Sequence, residues 1–128
     1  MSTFQFTVGS VTYNAATAPA LEQDKALSLL SVKMMQTIFA NKVDTLPQKA
    51  LVPLFLMLPQ NVKQEVANIL CKKVFIAGTS ENPVTVRDFE GRMIEWNQLL
   101  AELTVGNFSD FFTWCQSVRE EETPNPQA

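Results

Sequence analysis

The side chains able to do chemistry in this chain are few and scattered. No histidine occurs among the 128 residues, which removes the commonest general base and every triad built on one. Cys71 and Cys115 form neither a CxxC pair nor any zinc spacing, and without histidine nothing completes a metal site around them. Free, mostly buried thiols in a reducing cytoplasm are the expectation. Glu90 and Glu95 diverge on a helix surface, and Glu95 and Glu102 stand a heptad apart on its polar side, the pattern of a solvated face rather than a general acid and base. Gly9, Gly78, Gly91 and Gly106 are dispersed, with no GxGxxG or GxxxxGK[ST] run to cradle a phosphate. The residues therefore predict a protein that is not an enzyme and that needs no cofactor or metal.

Charge excludes a second class. Ten Lys and Arg against thirteen Asp and Glu give a net charge of −3. With Arg119, Glu120, Glu121 and Glu122 set aside, the remainder is close to neutral. Nucleic-acid binding rests on an excess of Lys and Arg gathered on one face, and the only local pair is Lys72-Lys73, which suits the negative end of a helix dipole. The most apolar run, LVPLFLMLP from Leu51 to Pro59, is far short of the ~18 residues that span a bilayer. Met1-Ser2-Thr3-Phe4-Gln5 has neither the charged nor the apolar part of a signal peptide. No nucleic acid and no membrane are expected.

With 46% hydrophobic residues the chain can build a real core. The fold class it predicts is mainly α: a small helical domain of about five helices over residues 1–118, opened by a two-stranded β-hairpin, with an acidic, Pro-rich tail over 119–128 expected to be mobile. Phe4, Phe6 and Val8 alternate with Thr3, Gln5 and Thr7, as in a half-buried strand. Gly9-Ser10 suits a type II′ turn that sets Val8 opposite Val11 and Phe6 opposite Tyr13, in a hairpin from Phe4 to Ala15. The period then becomes helical from Pro19 to Ala40, with Leu27, Leu30, Met34 and Ile38 in one stripe and Met35 and Phe39 beside it. Thr45-Leu46-Pro47-Gln48 reads as a capping box opening a short helix to about Val52, with a kink at Pro53. A further helix opens at Pro59-Gln60-Asn61, buries Val62, Val66, Ile69, Leu70 and Val74, and stops near Ala77-Gly78. Thr79 to Pro83 is a loop.

After the N-cap signature Thr85-Val86-Arg87-Asp88, the residues Val86, Phe89, Met93, Trp96, Leu100 and Leu103 recur at spacings of three and four, a heptad seam through which two copies could associate. Asp88 and Arg92 are placed to pair on that helix. Gly106 should end it and Asn107 cap the next, on which Phe108, Phe111, Phe112 and Cys115 form a stripe facing Met93, Trp96 and Leu100, with Trp114 and Val118 at its edge. The aromatics between positions 89 and 114 each bury on the order of 150–250 Å². A domain this small has limited interior for them. Candidate partner-binding residues are therefore Phe89, Arg92, Met93, Trp96, Leu100, Phe108, Phe111, Phe112 and Trp114, joined by Met34 and Met35, whose thioethers repack readily against varied surfaces. A homo-oligomer is expected, because these helices display more apolar face than one neighbour covers.

The run DFEGRMIEWNQLLAELTVGNFSDFFTW, Asp88 to Trp114, resembles the C-terminal signature of tail assembly chaperones of long-tailed bacteriophages: F-x-G-R, a Leu-rich helix, then N-F-x-x-F-F. FQFTVGSVTY also looks like the start of those proteins. The resemblance implies a non-enzymatic chaperone that binds the tape measure protein, a very long helical chain, and keeps it soluble until tail-tube subunits polymerise round it. It also implies residence in the host cytoplasm and absence from the mature virion. Many members exist in a longer, frameshifted form whose extension recruits the tail-tube protein, and here the residues after Val118 would be the junction. The competing expectation is a structural or regulatory phage module that only homo-oligomerises.

Overall fold

The computed structural model describes residues 2–41, 46–79 and 82–122, with side chains through 118. Its elements run β1 (Thr3–Val8), β2 (Val11–Ala16), α1 (Ala20–Ala40), α2 (Pro47–Met57), α3 (Gln60–Leu70), β3 (Val74–Ile76), one turn of 3-10 helix (Val86–Phe89), α4 (Met93–Asn107) and α5 (Ser109–Glu122). The mainly α class and the N-terminal hairpin are as the sequence predicts.

The hairpin has the expected register, Val8 opposite Val11 and Phe6 opposite Tyr13. Gly9 sits at φ 61° while Ser10 keeps a negative φ, which is the type II′ arrangement. On the solvent face Gln5 Nε2 donates to Asn14 Oδ1 at 2.8 Å and the Thr7 and Thr12 hydroxyls pair at 3.0 Å. The other face lies on α4. There the Phe4 ring occupies the space that a Cβ at position 106 would need, so only glycine lets β1 approach the helix so closely.

Several boundaries depart from the sequence reading. The helix expected to reach Ala77-Gly78 stops at Leu70, with a last bond from the Cys71 N–H to the Ala67 carbonyl at 2.9 Å. Val74–Ile76 is instead a third strand, pairing Val74 with Ala15 and Phe75 with Asn14. The β-branched and aromatic side chains of VFI favour a strand, and β2 has outward backbone groups to satisfy. Gly78, at φ 90°, turns the chain after that strand rather than ending a helix. The helix α2 runs through Pro53 to Met57. Pro53 deprives the Lys49 carbonyl of its helical partner, but both residues are exposed, so water can take its place. The Thr45 cap expected for α2 lies outside the described residues.

The heptad seam is also interrupted. Val86–Phe89 forms a separate 3-10 turn in which the Asp88 carboxylate accepts from the Thr85 N–H at 2.8 Å. Gly91 then reverses the chain at φ 78°, and α4 begins at Met93. At its other end α4 continues through Asn107, which does not cap α5. Asn107 is buried: its Nδ2 donates to the Leu103 carbonyl and its Oδ1 accepts from the Ala18 N–H, both at 2.8 Å. That side chain ties the end of α4 to the start of α1, with Gln23 Nε2 reaching the Asn107 carbonyl at 3.2 Å. One core cluster collects Val8, Tyr13, Leu30, Met34, Phe55, Val66, Leu70, Val74, Phe89, Leu100 and Phe112 from all these elements.

Candidate functional site

The candidate residues separate into an interior set and a surface set. Phe89, Leu100, Phe108, Phe112 and Met34 are buried inside the fold, and Trp96 is buried but for the 6% of its surface that lines the groove described below. Met35 and Phe111 are half-buried against the core. Arg92, Met93 and Trp114 are exposed, the last two by 44% and 52%. Of the residues on which the α5 stripe is expected to close, Trp96 and Leu100 share one core cluster with Phe108, Phe112 and Cys115, whereas Met93 stays exposed. Trp96 packs against the Phe89 ring at 5.5 Å between centroids, and Met93 opens toward α3.

The F-x-G-R motif is a folded device. Phe89 plugs the core, Gly91 supplies the left-handed turn, and Arg92 braces the first turn of α4 against the 3-10 segment. Its Nη1 lies 2.9 Å from Glu95 Oε2, its Nη2 donates to the Asp88 carbonyl at 2.6 Å, and its guanidinium stands 5.0 Å from the Phe89 ring centroid. The expected side-chain pair with Asp88 is absent because that carboxylate is held by Thr85. Arg92 also reaches the Tyr13 hydroxyl, whose pKa burial raises above the ordinary tyrosine value despite the nearby cation.

Next to this brace lies a groove of about 440 Å³ between α3, the segment 83–86 and the first turns of α4. Its apolar wall is made by Ala67, Cys71, Val84 and Trp96, and Val86, 46% exposed, and Met93 are surface-exposed among its lining residues. Lys63, Gln64 and Asn68 supply polar groups along the α3 side. Burial lowers the Lys63 pKa from the usual lysine value, the mark of an ammonium partly withdrawn from water. Burial likewise pushes the Cys71 thiol up to about 12, which leaves it protonated and a poor nucleophile at neutral pH. Among the described residues no cluster of Cys, Asp and Glu could hold a metal, and no helix is long and apolar enough to cross a membrane.

Sequence reasoning placed Val86 and Met93 in a helical seam and did not foresee the groove. Its α3 lining, Gln60, Lys63, Gln64, Ala67 and Asn68, lies mostly on the polar side of that helix, which the periodicity marks as facing solvent, and Val84 comes from the irregular segment ahead of the 3-10 turn. A second apolar area is the Phe111 and Trp114 pair on α5, with ring centroids 6.2 Å apart. No family model, curated protein or solved structure matches the chain.

Proposed function

We propose that this protein is a non-enzymatic tail assembly chaperone of a long-tailed bacteriophage, one that binds apolar helical segments of the tape measure protein and keeps that client soluble in the host cytoplasm until tail-tube subunits enclose it. The observation that carries the reading on the structural side is the α3–α4 groove. Its wall is apolar, Val86 and Met93 are exposed in its lining, and the Lys63 ammonium stands beside it. Such a trough accepts the side chains of a helix presented at i, i+3 and i+4, with the lysine available to an acidic residue at its flank. The family resemblance of Asp88 to Trp114 names the client; the groove alone does not. The chemistry of the described residues is compatible with a binding role, since Cys115 is buried, burial keeps the Cys71 thiol protonated, and the carboxylates are dispersed.

Co-expression with the tape measure protein tests the reading. Val86→Asp and Met93→Asp place a charge in the groove lining at exposed positions, so both variants should melt close to the parent while the client moves from the soluble fraction to the pellet. An unchanged soluble fraction with either variant removes the groove from the proposal. Failure of the parent protein to solubilise the client at all favours the competing homo-oligomeric module.

A further inference from the structure

The three-stranded sheet has the order β1-β2-β3, which leaves β1 and β3 at its two edges. The β3 edge is short and partly covered, because the Val84 N–H donates to the Val74 carbonyl at 2.8 Å. The β1 edge is longer and open. In a two-residue hairpin the pair that closes the turn is hydrogen-bonded, so Val8, Phe6 and Phe4 spend their backbone groups on β2, while Thr3, Gln5 and Thr7 point theirs outward. The equivalent outward groups of β2 are taken up beyond it: the Ala77 N–H donates to the Thr12 carbonyl at 2.9 Å and the Ala16 N–H to the Lys73 carbonyl at 3.0 Å. Among the described residues nothing pairs with the backbone of Thr3, Gln5 and Thr7.

Edge strands of monomeric proteins carry guards: a lysine, a proline, a bulge or a covering loop. The strand TFQFTV holds no lysine, proline or bulge, no backbone of the described residues pairs with its outer edge, and no charged residue occurs in the chain before Glu22. Its sequence is also its own reverse from Thr3 to Thr7: T-F-Q-F-T. An antiparallel pair of such strands centred on Gln5 sets like against like at every position.

We infer that β1 is the contact between two copies of this chain, which pair their β1 strands antiparallel about a two-fold axis at Gln5 to form one continuous sheet. In this register Gln5 faces the partner's Gln5 and Thr3 faces the partner's Thr7 as hydrogen-bonded pairs, consuming the outward backbone groups. Gln5 Nε2 already donates one hydrogen to Asn14, which leaves a second hydrogen and the Oε1 for the partner's amide. On the other face Phe4 meets the partner's Phe6 at the non-hydrogen-bonded positions, where side chains approach most closely. Both rings are only half-buried in the single chain and stand 5.9 Å apart there, so the pairing continues an aromatic row that otherwise ends at the edge. A two-fold perpendicular to the sheet keeps the helices of both copies on one side of it. A foreign strand would satisfy the same backbone groups, but it would not explain the palindrome. The inference holds whether or not the chaperone reading does.

The test uses the charge that the edge lacks. The parent chain should sediment at twice its chain mass, and Gln5→Lys and Gln5→Glu should each sediment as single chains with unchanged far-ultraviolet circular dichroism. Mixing the two variants in equal amounts should restore the double mass, because only at a two-fold does residue 5 meet itself. A parent that stays a single chain at every concentration overturns the inference. So does a Gln5→Lys protein that keeps the double mass, or a mixture that stays monomeric.

Discussion

Two groups of aromatic residues in this molecule look alike in sequence and end in opposite environments. One begins at the sheet edge and runs inward: Phe4 to Phe6 at 5.9 Å, Phe6 to Tyr13 at 5.6 Å, Tyr13 to Phe89 at 6.4 Å and Phe89 to Trp96 at 5.5 Å. The other lies within one helix, Phe111 against Phe112 at 5.4 Å and against Trp114 at 6.2 Å. The first draws its rings from four elements, β1, β2, the 3-10 turn and α4, so its inner rings are covered by chain arriving from elsewhere, and Tyr13, Phe89 and Trp96 finish buried. The second has its rings on nearly adjacent residues of one helix, which fan around its axis. One neighbouring surface can cover only part of that fan. Phe112 is buried, Phe111 is half-buried and Trp114 remains exposed. Local aromatic density is therefore a poor measure of burial, while long-range convergence is a good one.

The largest effect should follow from removing the middle of the inward row. Phe89 is 1% exposed and touches rings on both sides, so Phe89→Ala leaves a cavity costing ~3–5 kcal/mol, a large share of the stability of a small domain. Chemical denaturation should show the unfolding free energy falling by that amount, with an earlier midpoint. A loss under about 1 kcal/mol would mean that the row packs too loosely to organise the hairpin against α4.

Gly106→Ala sharpens the comparison at the outer end of the row, because two effects of opposite sign compete there. Helix propensity alone favours alanine by ~0.8–1.0 kcal/mol. The Phe4 ring, however, occupies the site of the new methyl group, and overpacking of this kind costs about 1–3 kcal/mol. A net loss in the melting temperature is expected, along with weaker self-association, since Phe4 also lies at the β1 edge. A gain would show that Phe4 moves aside freely and that the row begins only at Phe6.

The same contrast explains what could be read from the sequence. The hairpin was legible to the residue because alternation, a two-residue turn and a glycine first in that turn all specify one register. Helix α1 was legible because the stripe through Leu30, Met34 and Ile38 runs without a breaker, although Ala26 rather than Leu27 is its buried first member. The stretch from Val86 to Leu103 misled because its spacing is that of a heptad, yet Gly91 sits inside it with a positive φ. Glycine there serves a chain reversal, and spacing alone does not distinguish that from a tolerated helical glycine. Strand β3 was hidden for a related reason: Val74 continues the apolar stripe of α3, so the strand preference of three residues decides nothing until the unmet hydrogen bonds of β2, a tertiary fact, are added to it. The groove depends on both of these misread boundaries, which is why no local signal announced it. The interior members of the candidate set were found as apolar residues, but their burial depended on partners distant in the chain.

Trp114 is the place where the comparison can be broken. Its indole is 52% exposed and contacts Phe111 at the edge of α5, whereas Phe112, two residues earlier, is 9% exposed and belongs to the core. Phe112→Ala should therefore destabilise by ~3–5 kcal/mol, while Trp114→Ala should cost about 0.5–1.5 kcal/mol, roughly the value of one aromatic pair contact beyond area burial. A rigid, exposed indole is also the kind of side chain that anchors a partner, so Trp114→Ala should reduce client solubility in co-expression by more than its effect on melting explains. If the two variants melt alike, the fan on α5 is covered on all sides and the distinction between the two aromatic groups disappears. If Trp114→Ala melts like the parent and leaves the client soluble, the indole is a solvated ring without a partner, and the proposed client contact then rests on the α3–α4 groove alone.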